Sequence, residues 1–105
     1  MPKQNRGEVW LVDLGIAAKV RPCLVISTSA LVQDRALVTV VTHTRSTRGS
    51  RFEVPVRTRY LDVAGVFDAQ SIVTVPEAKF LRKLGTLQPD QLSLVEDAVR
   101  QWLKL

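Results

Sequence analysis

The chain has little of what most enzymes use for chemistry. Of its 105 residues one is cysteine, Cys23, and one is histidine, His43. A lone thiol excludes a disulfide scaffold. A lone thiol with a lone imidazole leaves no nitrogen and sulfur ligand set for zinc. The carboxylates are few and scattered, so a magnesium or two-metal site lacks converging ligands. No metal and no cofactor is expected. A serine or cysteine nucleophile would have only His43 as its base, and a single strand histidine is more often structural. The five glycines stand apart from one another, which excludes a glycine-rich phosphate loop. No apolar run approaches the roughly 18 residues of a membrane span. The opening Met-Pro-Lys-Gln-Asn-Arg lacks the apolar core of a signal peptide. With the single thiol, this leads to an expectation of the cytoplasm and of no membrane partner.

Aliphatic residues and arginine are abundant instead. Hydrophobic residues make up 46% and charged residues 24%, as in an ordinary folded domain. The length suits one domain over 1–105, with residues 1–6 as a loose polar lead-in. Lys and Arg number 15 against 10 Asp and Glu, a net charge of +5 that points to an anionic partner. Arg45, Arg48, Arg51, Arg57 and Arg59 crowd one stretch in which Glu53 is the only carboxylate. Such a run can line a groove for a phosphate backbone, or can be a solvated loop; charge alone leaves both open. The aromatic residues Trp10, Phe52, Tyr60, Phe67, Phe80 and Trp102 read mostly as core rather than as stacking platforms.

The pattern predicts five strands and then two helical segments. Gly7 to Leu14 alternates, with Val9 and Leu11 opposite Trp10, Val12 and Leu14. Val20 to Thr28 holds the apolar run Cys23-Leu-Val-Ile26, with Pro22 near its start. Ala36 to Thr44 is rich in β-branched residues. Arg51 to Val56 and Gly65 to Val75 complete the strands, with Gly65 permitting a bend. Pro76 to Arg82 fits one or two helical turns, because proline suits the first helical position. Pro89 to Leu103 is a helix whose stripe is Leu92, Val95, Val99 and Trp102, widened by Leu94 and Ala98. Gln88 is a weak N-cap, so that end is expected to fray. This order predicts an α+β fold, a small antiparallel barrel packed by a terminal helix.

Arg6-Gly-Glu-Val-Trp-Leu-Val-Asp-Leu14 followed by Val20-Arg-Pro-Cys-Leu-Val-Ile-Ser27 resembles the MazF/PemK (Kid) toxins of bacterial type II toxin–antitoxin pairs. Leu37-Val-Thr-Val-Val-Thr-His-Thr44 is similar to that family's third strand, Phe67 to Pro76 to its strand before a short helix, and Leu84 to Leu92 to its last helix start. The resemblance covers residues 6–105. It implies an SH3-like barrel with a short helix and a C-terminal helix, forming a homodimer. It implies metal-independent, sequence-selective cleavage of single-stranded RNA. The family's catalytic pair is the arginine of Arg-Pro and the threonine closing the third strand. These fall on Arg21 and Thr44, with register against the Val-Val run favouring Thr44 over Thr42. Arg45, Arg48, Arg51, Gln70 and Ser71 follow as RNA-binding candidates. The implied partners are single-stranded RNA, a cognate acidic antitoxin and, only as the toxin–antitoxin complex, promoter DNA.

Three departures from the family pattern keep other readings open. The first connection, Gly15-Ile-Ala-Ala-Lys19, is short. The family's Gln-Ile-Arg-Thr is replaced by Ser71-Ile-Val-Thr74, which removes a cation. His43 stands where an apolar residue is common. The alternatives are a CcdB-like toxin that binds DNA gyrase without cleaving RNA, an RNA-binding barrel without catalysis, and a degenerate toxin that only engages its antitoxin.

Overall fold

The computed structural model describes residues 3–17 and 19–105. Met1 and Pro2 of the expected lead-in, and Ala18 of the first connection, lie outside the described residues. The strands are β1 (Glu8–Asp13), β2 (Val20–Val25), β3 (Leu37–Thr44), β4 (Glu53–Val54), β5 (Val66–Pro76) and β6 (Phe80–Thr86), followed by helix α1 (Pro89–Leu103). All form one sheet in the order β4-β5-β3-β2-β1-β6, and every pairing is antiparallel. The expected α+β architecture with a C-terminal helix is present, and the strand ladder is open, with β4 and β6 at its ends.

Each face of the sheet carries its own apolar cluster. On one face Val9, Leu24, Val41, Phe67 and Ala69 meet Val95, Ala98 and Val99 of α1. On the other face Trp10, Val12, Cys23, Val25, Val38, Val40 and Phe80 pack together. Alternation along the strands explains the division: neighbours such as Leu24 and Val25, or Val40 and Val41, point to opposite sides. Both faces are filled, which is why Cys23-Leu-Val in β2 is fully buried.

Two sequence expectations need correction. Residues 76–82 hold only a three-residue 3-10 turn, Glu77–Lys79, and the chain then returns as β6 to pair with β1. The proline signal was genuine but short, and pairing with β1 overrides weak local β propensity in Phe-Leu-Arg-Lys-Leu-Gly-Thr. The start of α1 is also better held than Gln88 alone implies. The Gln88 backbone N–H donates to Gln91 Oε1 at 3.0 Å, satisfying the cap from the third helical position. In the stripe of α1, Leu94 points outward and is 55% exposed. The helix ends where Lys104 turns left-handed, φ 58°.

The described residues before β1 are tied down. Arg6 donates through Nε to Glu96 Oε2 at 2.8 Å and through a second nitrogen to the Ile26 carbonyl, linking α1 to the end of β2. Glu8 accepts from the Asn5 backbone and from Trp10 Nε1, and pairs with Lys83 Nζ at 2.9 Å. These bonds hold the Glu8 carboxyl below its ordinary value even though burial pulls it upward.

Candidate active site

The ladder between β2 and β3 pairs Cys23 with Thr42, Leu24 with Val41 and Val25 with Val40. It stops at Cys23 because Pro22 has no N–H to donate. Extending the same register past Pro22 sets Arg21 across from Thr44. Directly opposed residues of an antiparallel pair share a face. Arg21 is paired with Val12 on its other side, which puts it on the face of Trp10, Val12 and Cys23, away from α1. Arg21 and Thr44 are both half-buried.

The opposite flank of β3 is irregular at the same level. Val41 pairs with Ile72 and His43 with Phe67, so β5 inserts three extra residues there. The insertion places Ser71 beside Thr42, whose hydroxyl donates to Ser71 Oγ at 2.7 Å. Gln70 stands exposed within the bulge, which is closed by its N–H donating to Asp68 Oδ1 at 2.9 Å. Bulges that re-aim side chains recur beside functional sites. Thr44 Oγ1 accepts the Ser46 N–H at 3.0 Å, which fixes the oxygen and leaves its own proton available to donate.

Strand register thus sets Arg21 and Thr44 on one sheet face, with Ser71 a step along beside Thr42, and the other candidates are spread. Arg45 is exposed and pairs through Nε with Asp62 at 3.2 Å, a carboxylate beyond the arginine-rich stretch. Arg48 is exposed in the β3–β4 connection, where its N–H and that of Gly49 donate to the Glu53 carboxylate. Arg51 turns toward the helix side. Its guanidinium lies 4.6 Å from the Phe52 ring centroid, which in turn meets Trp102 at 5.4 Å.

Sequence reasoning set Thr42 aside and read His43 only as a structural residue. Thr42 is a second hydroxyl on the face of Thr44, legible from the i, i+2 rule for strands. His43 points through to the other face, where its ring meets Phe67 edge-on at 4.9 Å. Gly65 closes a turn, its N–H donating to the Asp62 carbonyl at 3.0 Å, and a Cβ there would lie 2.2 Å from His43 Cε1, so the imidazole fills the space of the missing side chain. Burial pushes the His43 pKa below its ordinary value, against the pull of Asp62. Burial also pushes the Cys23 thiol up to about 12, with Arg21 acting the other way. Among the described residues no group of three or more His, Cys, Asp or Glu could hold a metal ion, and no helix is long and apolar enough to cross a membrane.

Residues 5–103 match the family of PemK-like, MazF-like toxins of type II toxin–antitoxin systems. The chain belongs to this family. As a MazF-like toxin it has several solved structural relatives. An endoribonuclease from a mycobacterial species, solved in complex with its cognate antitoxin, is 25% identical, with a TM-score of 0.81 over 100% of this chain and 97% of that one. The Mycobacterium tuberculosis toxin MazF-mt6 is 25% identical, with a TM-score of 0.79 over 93% of this chain and 97% of that one. MazF from Deinococcus radiodurans, at 23% identity, shares the fold with a TM-score of 0.81 over the full length of both chains. The barrel-like MazF fold is therefore the fold of this toxin.

Proposed function

We propose that this toxin is a metal-independent endoribonuclease that cleaves single-stranded RNA selectively by sequence, with Arg21 and Thr44 as its catalytic residues. The observation that supports the reading is strand register: continued past Pro22, the β2–β3 pairing sets Arg21 across from Thr44, next to the point where the ladder to β5 slips. The mycobacterial relatives described as endoribonucleases support the same class of activity.

RNA supplies its own nucleophile, so the protein needs only to align and stabilise. Arg21 holds the phosphate with parallel donors and stays cationic throughout the relevant pH range. Thr44 donates to a non-bridging oxygen as charge builds on it. The 2′-oxygen passes its proton to solvent water as it bonds to phosphorus, and the bond to the 5′-oxygen breaks. That oxygen takes a proton from solvent, with the Arg21 guanidinium hydrogen-bonded to it and still cationic. The products are a 2′,3′-cyclic phosphate and a 5′-hydroxyl. Arg45, Arg48, Gln70 and Ser71 guide the strand across this face, and Arg51 extends the positive surface toward α1. The toxin acts as a homodimer in the cytoplasm, over a single domain of residues 1–105. Its antitoxin is acidic and competes for the basic surface, as the net charge of +5 favours; the toxin reaches promoter DNA only within that complex.

The test is incubation of the purified toxin with mixed-sequence single-stranded RNA in EDTA, followed by mapping of the ends. Discrete cuts with cyclic phosphate and 5′-hydroxyl termini are expected. Intact RNA would overturn the reading, as would full activity in Arg21→Ala.

A further inference from the structure

The connection from β4 to β5 meets the sheet at its middle and at its end through a ring against a glycine. Tyr60 covers Gly85 of β6, where a Cβ would lie 2.4 Å from the Tyr60 ring, and His43 of β3 fills the space at Gly65. Among the described residues, three buried side-chain polar atoms stand out here: Thr58 Oγ1 and Tyr60 OH, which face each other, and His43 Nε2, which has no hydrogen-bond partner. Buried orphan polar atoms cost stability and return it when the segment opens to water. The His43 end of the connection is therefore held by packing together with the Arg45–Asp62 ion pair, while Nε2 stays unpartnered.

We propose that His43 is a positioning residue of this site, an imidazole latch that clamps residues 58–65 onto the back of β3 and thereby sets Thr44 and Arg45, and that adding a proton releases it. His43 lies in sequence between Thr42 and Thr44, so a backbone shift that re-seats its ring also moves the two hydroxyls on the opposite face. The connection also carries Asp62, whose carboxylate holds Arg45. Opening the latch thus disturbs Thr44 and Arg45 together. The neutral ring suits the slot: Phe67 and Gly65 bring no charge, and buried Nε2 has no acceptor. The charged groups facing it are Asp62, which favours the proton, and Arg45, already paired with that carboxylate. A proton on the ring puts a cation in a slot where Nε2 has no acceptor and the facing carboxylate, Asp62, is already engaged by Arg45.

The functional arm of this inference rests on the nuclease reading; the structural arm does not. His43 is the only histidine, so its Cε1–H resonance is unambiguous. Proton and amide NMR from pH 8 to pH 4 on the intact toxin is expected to show His43 titrating below 6.5, its ordinary value. The Thr44 and Arg45 amides should move with the same midpoint. RNA cleavage should fall through that midpoint as pH drops. His43→Phe is expected to remove this acid limb, and Asp62→Asn to move it to lower pH. If a carboxylate caused the limb, Asp62→Asn would abolish it or leave it in place. Gly65→Ala, which expels the ring, should cost about tenfold in rate at neutral pH and return the imidazole midpoint toward 6.5. A His43 that titrates at 6.5 with Thr44 unmoved overturns the latch, as does an acid limb that survives in His43→Phe. Absence of cleavage at every pH would sink the nuclease reading and leave the NMR arm to decide the latch.

Discussion

The two halves of β3 are built by different rules. From Leu37 to Val41 the strand is regular: its partners on β5 run in unbroken register, and Val38, Val40 and Val41 are buried. From Thr42 to Thr44 the ladder to β2 ends at Pro22, and the ladder to β5 slips by three residues. Polar side chains enter where the hydrogen bonding loosens. The first half is filled with buried valines, and the second half gives up regularity where the hydroxyls of Thr42 and Thr44 line one face.

That division can be broken from either side. The largest expected effect is on chemistry: Arg21→Ala should lower the cleavage rate by about 10²–10³ while leaving the thermal midpoint nearly unchanged. Val41→Ala should do the reverse. It removes apolar groups from the fully buried half at a cost of about 2 kcal/mol, and the molecules that remain folded should cleave at the parental rate. A chemical-denaturation curve beside an initial-rate assay separates the two. Thr44→Val and Thr42→Val sharpen the boundary within the polar half. Thr44→Val should slow cleavage by about tenfold or more with little change in stability. Thr42→Val strands the Ser71 hydroxyl and should cost about 1 kcal/mol of stability, with the smaller loss of rate. Should the two rate losses be exchanged, Thr42 would take the catalytic assignment. The smallest effect is on binding. Arg48→Ala should leave the folded state intact and reduce the salt dependence of RNA affinity by about 0.7 in log–log slope, as for one lost phosphate contact.

Stability should follow pH through His43 as well. Its folded pKa lies below the unfolded value of 6.5. Below that value the unfolded chain therefore binds more protons than the native one, so stability rises with pH across this window and is lost as pH falls through it. His43→Phe should flatten the dependence, as read from thermal midpoints between pH 4 and pH 7.

The regular half of β3 was the most legible part of the chain, because consecutive β-branched residues leave little choice of backbone. Helix α1 was equally plain, since Pro89 starts it and Val95, Ala98 and Val99 repeat at helical spacing. Strand β6 was not, because Phe80 to Thr86 lacks β-branched residues until its last position and its conformation depends on β1. Arg21 and Thr44 were named from resemblance, as neither composition nor periodicity distinguishes them from an edge charge and a strand-ending β-former. The pairing of His43 with Gly65 was hidden for another reason. The two lie far apart in sequence, and a glycine that makes room for a ring carries no mark separating it from one that turns the chain.

Cys23 lies on the same seam as Arg21, opposite Thr42, and its thiol is sealed from water. Burial pushes its pKa up to about 12, which favours the thiol over the reactive thiolate while the toxin is folded. The molecule carries its own silent reporter: a thiol-reactive dye will label Cys23 only when β2 and β3 part.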